Sequence, residues 1–149
     1  DHTDGNLQLI KQYALPCLAM DERVPGITKL LKDQETVQFG ALEIEAIHTP
    51  CHTRGSCCFL VKEAGEIVCA FTGDTLFIGG CGYFFEGDAA QMHASLGKLA
   101  QLPADCELWV GHEYALDNLR FGAEIEPDNQ AIKKKLHVLS HIAIPGTIR

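Results

Sequence analysis

Four short polar signatures hold the side chains of this 149-residue chain best suited to metal chemistry. They are Asp1-His2 at the first position, Thr49-Pro50-Cys51-His52-Thr53, Phe71-Thr72-Gly73-Asp74-Thr75 and Gly111-His112-Glu113-Tyr114. Each of the last three follows an apolar or β-branched run, so each sets a histidine or an aspartate where a strand gives way to a loop. Imidazole nitrogen and carboxylate oxygen are donors that zinc takes, and an aspartate with two oxygens can serve two ions. Side chains delivered from successive strand ends can converge on one rim of a sheet and build one centre from distant sequence. No serine or cysteine stands in a histidine–acid setting that would make it a nucleophile.

The elements that must position these residues alternate between the two hydrophobic periods. Leu7, Leu9, Ile10 and Tyr13 predict a short helix stopped by Pro16, and Leu15 to Met20 a short strand. Val24-Pro25-Gly26 opens an irregular stretch, with Ile27, Leu30 and Leu31 packing on the body. Val37-Gln38-Phe39 and Leu42 to Ile47 read as a hairpin about Gly40-Ala41, and Ser56 to Val61 with Ile67 to Phe71 as a second pair. Asp88 takes the N-cap position of a helix whose buried side is Leu96, Leu99, Ala100 and Leu102. Leu108-Trp109-Val110 is one more strand, Ala115 to Glu126 a helix interrupted by Pro127, and Asn129 to about His141 another. His48, His93, His137 and His141 lack a motif context and read as surface or helix-face residues.

Composition narrows the function classes. One domain is expected at this length, and its 46% hydrophobic residues suffice for a core. No apolar run approaches the ~20 residues of a membrane span, and no targeting segment is visible. A net charge of −8 disfavours a nucleic-acid partner. The seven cysteines are odd in number, have no Cys-x-x-Cys pair and lie largely in apolar stretches. They read as buried reduced thiols in a reducing compartment, the cytoplasm or, for a longer parent, mitochondria.

On these motifs the chain resembles the metallo-β-lactamase superfamily and, within it, the hydroxyacylglutathione hydrolase (glyoxalase II) family. Members carry His-x-His-x-Asp-His, then Thr-Pro-Gly/Cys-His-Thr, Thr-Gly-Asp-Thr-Leu-Phe and Gly-His-Glu-Tyr. The last three are here almost verbatim, with Gly79-Gly80-Cys81-Gly82 and Phe85-Glu86-Gly87 between them. Asp1-His2, followed by Thr3-Asp4-Gly5-Asn6, matches the end of the first motif. The chain therefore reads as an internal piece of the family pattern, lacking the upstream histidines and most of the helical C-terminal region.

The resemblance implies an α/β fold, the αβ/βα sandwich of two face-to-face sheets with helices outside. Residues 1–125 would be a partial metallo-β-lactamase-like domain and residues 126–149 the beginning of a helical substrate-binding region. It implies two ions, zinc with iron or manganese as alternatives, sharing Asp74. One would add Asp1, His2 and His112; the other keeps only His52 here, so the chain by itself is expected to hold at most one ion firmly. Asp1 and Asp74 take the catalytic roles of orienting the attacking water and holding the ions. The implied reaction is hydrolysis of a glutathione thioester by a monomer, with Tyr83, Phe85 and Tyr114 meeting the substrate. Tyr83 stands where the family usually has a lysine or arginine, and an aromatic ring cannot pair with a carboxylate as a cation does. The competing readings are a mononuclear-iron persulfide dioxygenase or a lactonase of the same superfamily, and a non-catalytic interaction module.

Overall fold

A computed structural model of the chain describes residues 2–141. Helix α1 (Asn6–Tyr13) leads to a two-stranded parallel ribbon, β1 (Leu18–Ala19) with β2 (Lys29–Leu30). A five-stranded sheet follows in the order β3 (Glu35–Phe39), β4 (Leu42–His48), β5 (Cys57–Glu63), β6 (Glu66–Gly73), β7 (Glu107–Val110). Helix α2 (Ala89–Leu99) crosses between β6 and β7, and α3 (Ala115–Ile125) and α4 (Gln130–His141) complete the described chain.

Topology explains why distant motifs meet. Strands β3 to β6 pair antiparallel in succession, so β4 and β6 point the same way. β7 then pairs parallel to β6, with Ala70 opposite Leu108 and Gly73 opposite Val110. The carboxyl ends of β4, β6 and β7 therefore share one rim, and the motifs of His52, Asp74 and His112 begin there. The sheet pattern follows from alternation in β4, where Ile44 faces Val61 and Ala46 faces Phe59 across to β5. Glu45 on the opposite face meets Lys62 at 2.6 Å.

Helix α2 starts at a capping box. Asp88 Oδ1 accepts the Gln91 amide at 2.9 Å, and Gln91 Oε1 accepts the Asp88 amide at 3.1 Å. Its buried residues are Met92, Ser95 and Leu99, so the face is rotated from the expected one and Ala100 is exposed. The reason is polar: Ser95 Oγ donates to Pro50 O at 3.0 Å and Lys98 Nζ to His48 O at 2.6 Å. The helix is docked on the chain that leaves β4 for His52, rather than simply on its longest apolar stripe.

Other expectations are met more narrowly. The strand expected over 15–20 forms only at Leu18–Ala19, and its partner β2 was unforeseen; Leu31 is buried but Leu30 is exposed. Among the described residues there are two sheets, one of five strands and one of two, as the partial form of the sandwich that the resemblance implied. α3 and α4 flank Pro127 as expected, and residues 142–149 lie outside the described residues.

Beneath the rim lies a buried polar core. Thr49, Thr72, Thr75 and Cys58 are each at most 1% exposed. Thr49 Oγ1 and Thr75 Oγ1 are 2.9 Å apart, and Thr72 Oγ1 donates to Leu76 O at 2.8 Å. The hydroxyls tie the strand end before His52 to the turn holding Asp74. Thr49→Val would keep the shape but strand the Thr75 hydroxyl, a loss of about 1–3 kcal/mol. Urea unfolding should register it, and Thr49→Ser should recover most of it.

Candidate metal centre

His52 sits in a tight turn in which the Cys51 amide donates to Thr53 O at 3.1 Å and the Thr49 amide to Ser56 O at 2.9 Å. Asp74 follows β6 directly, and the Gly111 amide donates to Gly73 O at 3.0 Å, which seats the turn carrying His112 against it. His2 approaches from the turn that precedes α1.

Three histidines converge on the Asp74 carboxylate. His2 Nε2 lies 3.1 Å from Oδ1, while His52 Nε2 and His112 Nε2 each lie 3.3 Å from Oδ2. His2 and His112 bring their Nε2 atoms to 3.2 Å of each other. His2, Asp74 and His112 form the tightest group, with ligand atoms all within 4.8 Å of one another, and His52 joins through the aspartate. Asp1 lies outside the described residues.

This donor set fits a divalent metal. Tetrahedral zinc with bonds of about 2.0–2.1 Å requires donor atoms about 3.3–3.4 Å apart, close to the spacings found. Asp74 Oδ1 is buried without a hydrogen bond among the described residues, an arrangement that costs free energy unless a cation answers it. The second nitrogen of His52 supports the same reading. Nδ1 lies 2.9 Å from the Tyr83 carbonyl, which can only accept, so the neutral ring carries its proton there. Nε2 keeps its lone pair and turns it toward Asp74.

Aromatic rings flank the centre. Tyr114 stacks on His112 at 5.0 Å, Phe85 meets His52 edge-on at 5.1 Å, and Tyr83 tilts against Phe85 at 4.9 Å. Tyr83 and Phe85 are 72% and 67% exposed, so their rings are open to a ligand. A cleft of about 620 Å³ reaches His2, His52 and Asp74 from the side of Leu18 and Met20. Burial raises the thiols of Cys51, Cys57 and Cys58, Cys57 to about 11, which holds them protonated and unreactive. His48 Nε2 donates to the Arg54 carbonyl, 2.8 Å away, and His93 and His137 are exposed, all apart from the centre.

The sequence singled out the Tyr83 side chain; the structure adds that its backbone carbonyl lies 2.9 Å from His52 Nδ1. Sequence reasoning missed Arg23, whose guanidinium holds the Glu86 carboxyl down at about 2, with help from the Arg54 amide. Sixty-three positions separate this pair, and no local pattern announces it.

No protein-family model matches the chain. It is 41% identical over 140 residues to a hydroxyacylglutathione hydrolase-like protein of Gallus gallus, covering 91% of this chain and 50% of that one. It is 42% identical over 143 residues to a hydroxyacylglutathione hydrolase of Gloeobacter violaceus, covering 93% and 56%. The chain thus spans little more than half the length of these curated relatives. Among solved structures, ETHE1 from Myxococcus xanthus superposes with a TM-score of 0.66 at 22% identity, covering 95% of this chain and 64% of that one. A metallo-β-lactamase from Staphylococcus aureus gives 0.60 at 22% identity, covering 70% and 37%. At such identities these two likenesses speak for the fold alone.

Proposed function

We propose, for a chain that belongs to the hydroxyacylglutathione hydrolase family of the metallo-β-lactamase superfamily, that its parent protein hydrolyses glutathione thioesters to glutathione and a 2-hydroxy acid. The observation that carries this reading is the convergence of His2, His52 and His112 on Asp74. Family membership supplies the substrate class.

In this reading His2, Asp74 and His112 would hold one metal ion, with Asp1 as a further ligand and as the group that orients the attacking water, and His52 would serve the second ion shared through Asp74. A divalent metal bound there, zinc in the first instance, contributes Lewis acidity toward a carbonyl oxygen and lowers the pKa of water. The chain's own residues do the rest. Tyr83 O holds the His52 proton on Nδ1, and the Thr49–Thr75 pair keeps the two strand ends in register. Tyr114 and Phe85 offer ring faces beside the centre to the thiol arm of the ester, and Tyr83 offers its ring where a cation would otherwise meet a carboxylate. A glutathione thiolate is a sufficiently stable leaving group to depart without a strong acid. The reading places a monomer acting on a small molecule in the cytoplasm.

The test is the whole parent protein, stripped with a chelator and reloaded with zinc, assayed against an S-2-hydroxyacylglutathione. Turnover should vanish on stripping and return on reloading. Metal-dependent oxygen uptake with glutathione persulfide and no thioester hydrolysis would transfer the protein to the dioxygenase reading.

A further inference from the structure

The loop that runs from Gly79 to Gly87 touches the metal centre through the buried Gly82 backbone, which leaves no room for a Cβ against Asp74 O and His52 Nδ1, through Tyr83 O and through the Phe85 ring. Beyond Gly82, Tyr83 and Phe85 are largely exposed and do not anchor its second half. The residue that follows them does. Glu86 accepts Arg23 Nη1 at 2.7 Å and Nη2 at 2.8 Å, and accepts the Arg54 amide at 2.7 Å. Its own amide donates to Cys51 O at 3.2 Å. Arg23 is held in turn by Asp21, with Nε 2.9 Å from both carboxylate oxygens. Three segments thereby meet: the Asp21–Arg23 turn, the turn bearing His52 and the aromatic loop.

Two close approaches show how tightly these segments are seated. A Cβ on Gly55 would stand 2.2 Å from Asp21 Cβ, and one on Gly87 would stand 2.7 Å from Cys51 Cα. A guanidinium forked onto a carboxylate fixes direction as well as distance. The Glu86 side chain is 24% exposed and that of Arg23 51%, so solvent reaches the pair and its hold rests on the forked geometry and the added Asp21 and Arg54 bonds.

We infer that Glu86 and Arg23 are positioning residues that act as one unit, holding the Tyr83 carbonyl on His52 Nδ1 and so presenting His52 Nε2 to the metal. The role in turnover rests on the hydrolase reading; the role toward His52 does not. With the fork broken, the second half of the loop keeps only its backbone seats on Cys51 and at Gly82, Tyr83 O is held less firmly on Nδ1, and His52 gains freedom to turn or to change tautomer. Outer-shell partners of metal-bound histidine typically govern about 10–100-fold in metal affinity, and a unit one bond further out is expected at the lower end.

The experiment uses the whole parent protein loaded with cobalt(II), comparing Glu86→Gln, Arg23→Met and the double variant, with Arg23→Lys as a milder second probe. Glu86→Gln keeps an oxygen for the Arg54 amide, which favours folding. Each single variant should weaken metal binding about tenfold, shift the cobalt d–d spectrum and remove the slowly exchanging His52 Nδ1–H resonance from the zinc form. The double variant should be no worse than either single one, because one unit is broken once. Arg23→Lys should fall between the parent and Arg23→Met. Spectra are taken far below each variant's melting temperature. An unchanged cobalt spectrum and metal affinity in Glu86→Gln and Arg23→Met, with only a lower melting temperature, would reduce the pair to a structural contact and overturn the inference. Additive losses in the double variant would overturn the single unit. A parent that binds metal but hydrolyses no thioester would defeat the proposed function while leaving this readout intact.

Discussion

Asp74→Asn is expected to empty the metal centre, lowering metal affinity by more than the roughly 10–100-fold that outer-shell changes cost. The carboxylate is the hub of the site: its two oxygens meet His2 at 3.1 Å and His52 and His112 at 3.3 Å. An amide removes the negative charge and puts an NH2 where one of those oxygens faces imidazole nitrogen. The effect on the metal-free fold should run the other way. Asp74 is only 10% exposed and its Oδ1 makes no well-formed hydrogen bond among the described residues, although His2 Nε2 lies 3.1 Å away, so in the metal-free parent its buried charge has imidazole contacts where the loaded site has a cation. The metal-free variant should therefore melt no lower than the metal-free parent, while losing the parent's stabilisation by added zinc. Metal analysis after gel filtration, with melting curves at several zinc concentrations, checks both halves. Full metal content in the variant would show that the histidines suffice.

Gly111→Ala should be nearly as damaging, though it touches no donor atom chemically. A Cβ at this position would lie 2.3 Å from Asp74 Oδ1 and 2.8 Å from the Gly73 carbonyl carbon. The backbone cannot easily retreat, because the Gly111 amide is bonded to Gly73 O at 3.0 Å and the strand behind it is paired in parallel with β6. Asp74 must swing away or the parallel pair must open. Overpacking of this kind costs about 1–3 kcal/mol, and any movement of Asp74 separates the donors. Reduced metal content with a measurable fall in denaturation midpoint is the expected pair of results. Gly97→Ala is the matched control: nothing stands within 4 Å of a Cβ there, and a helical glycine replaced by alanine gains up to about 1 kcal/mol.

The sequence was most legible where a local rule was strong. Alternation from Leu42 to Ile47 announced β4, Asp88 announced the start of α2, and the polar motifs after β4, β6 and β7 announced the rim. It was least legible where short range carries no information. Two-residue strands such as β1 and β2 leave no period to detect. The buried face of α2 was misjudged because hydrophobicity was weighed alone, whereas Ser95 and Lys98 bond backbone carbonyls at the end of β4. Phe71 and Trp109 lie in expected strands yet are 47% and 56% exposed, stacked on each other at 6.1 Å on one face of the sheet. At the site, the motifs placed His2, His52, Asp74 and His112 together, but the device that sets the His52 proton is a main-chain carbonyl, and composition says nothing of those.

The parallel junction of β6 and β7 has a consequence for the order of events in folding. An antiparallel hairpin closes early because its partners are neighbours, whereas this pairing waits for the chain from Gly73 to Glu107, with α2 inside it, to be laid down first. His2 and His112, 110 positions apart, can meet only after that closure. The donor set is thus completed by some of the most non-local contacts in the molecule, and a metal finds its full coordination in the native state and hardly anywhere before it. A ligand of that kind leaves the rate of folding nearly untouched and acts on the way out, slowing unfolding. At a hundredfold excess over its dissociation constant it adds about 2.7 kcal/mol, so metal supply sets how long the finished fold lasts far more than whether it forms.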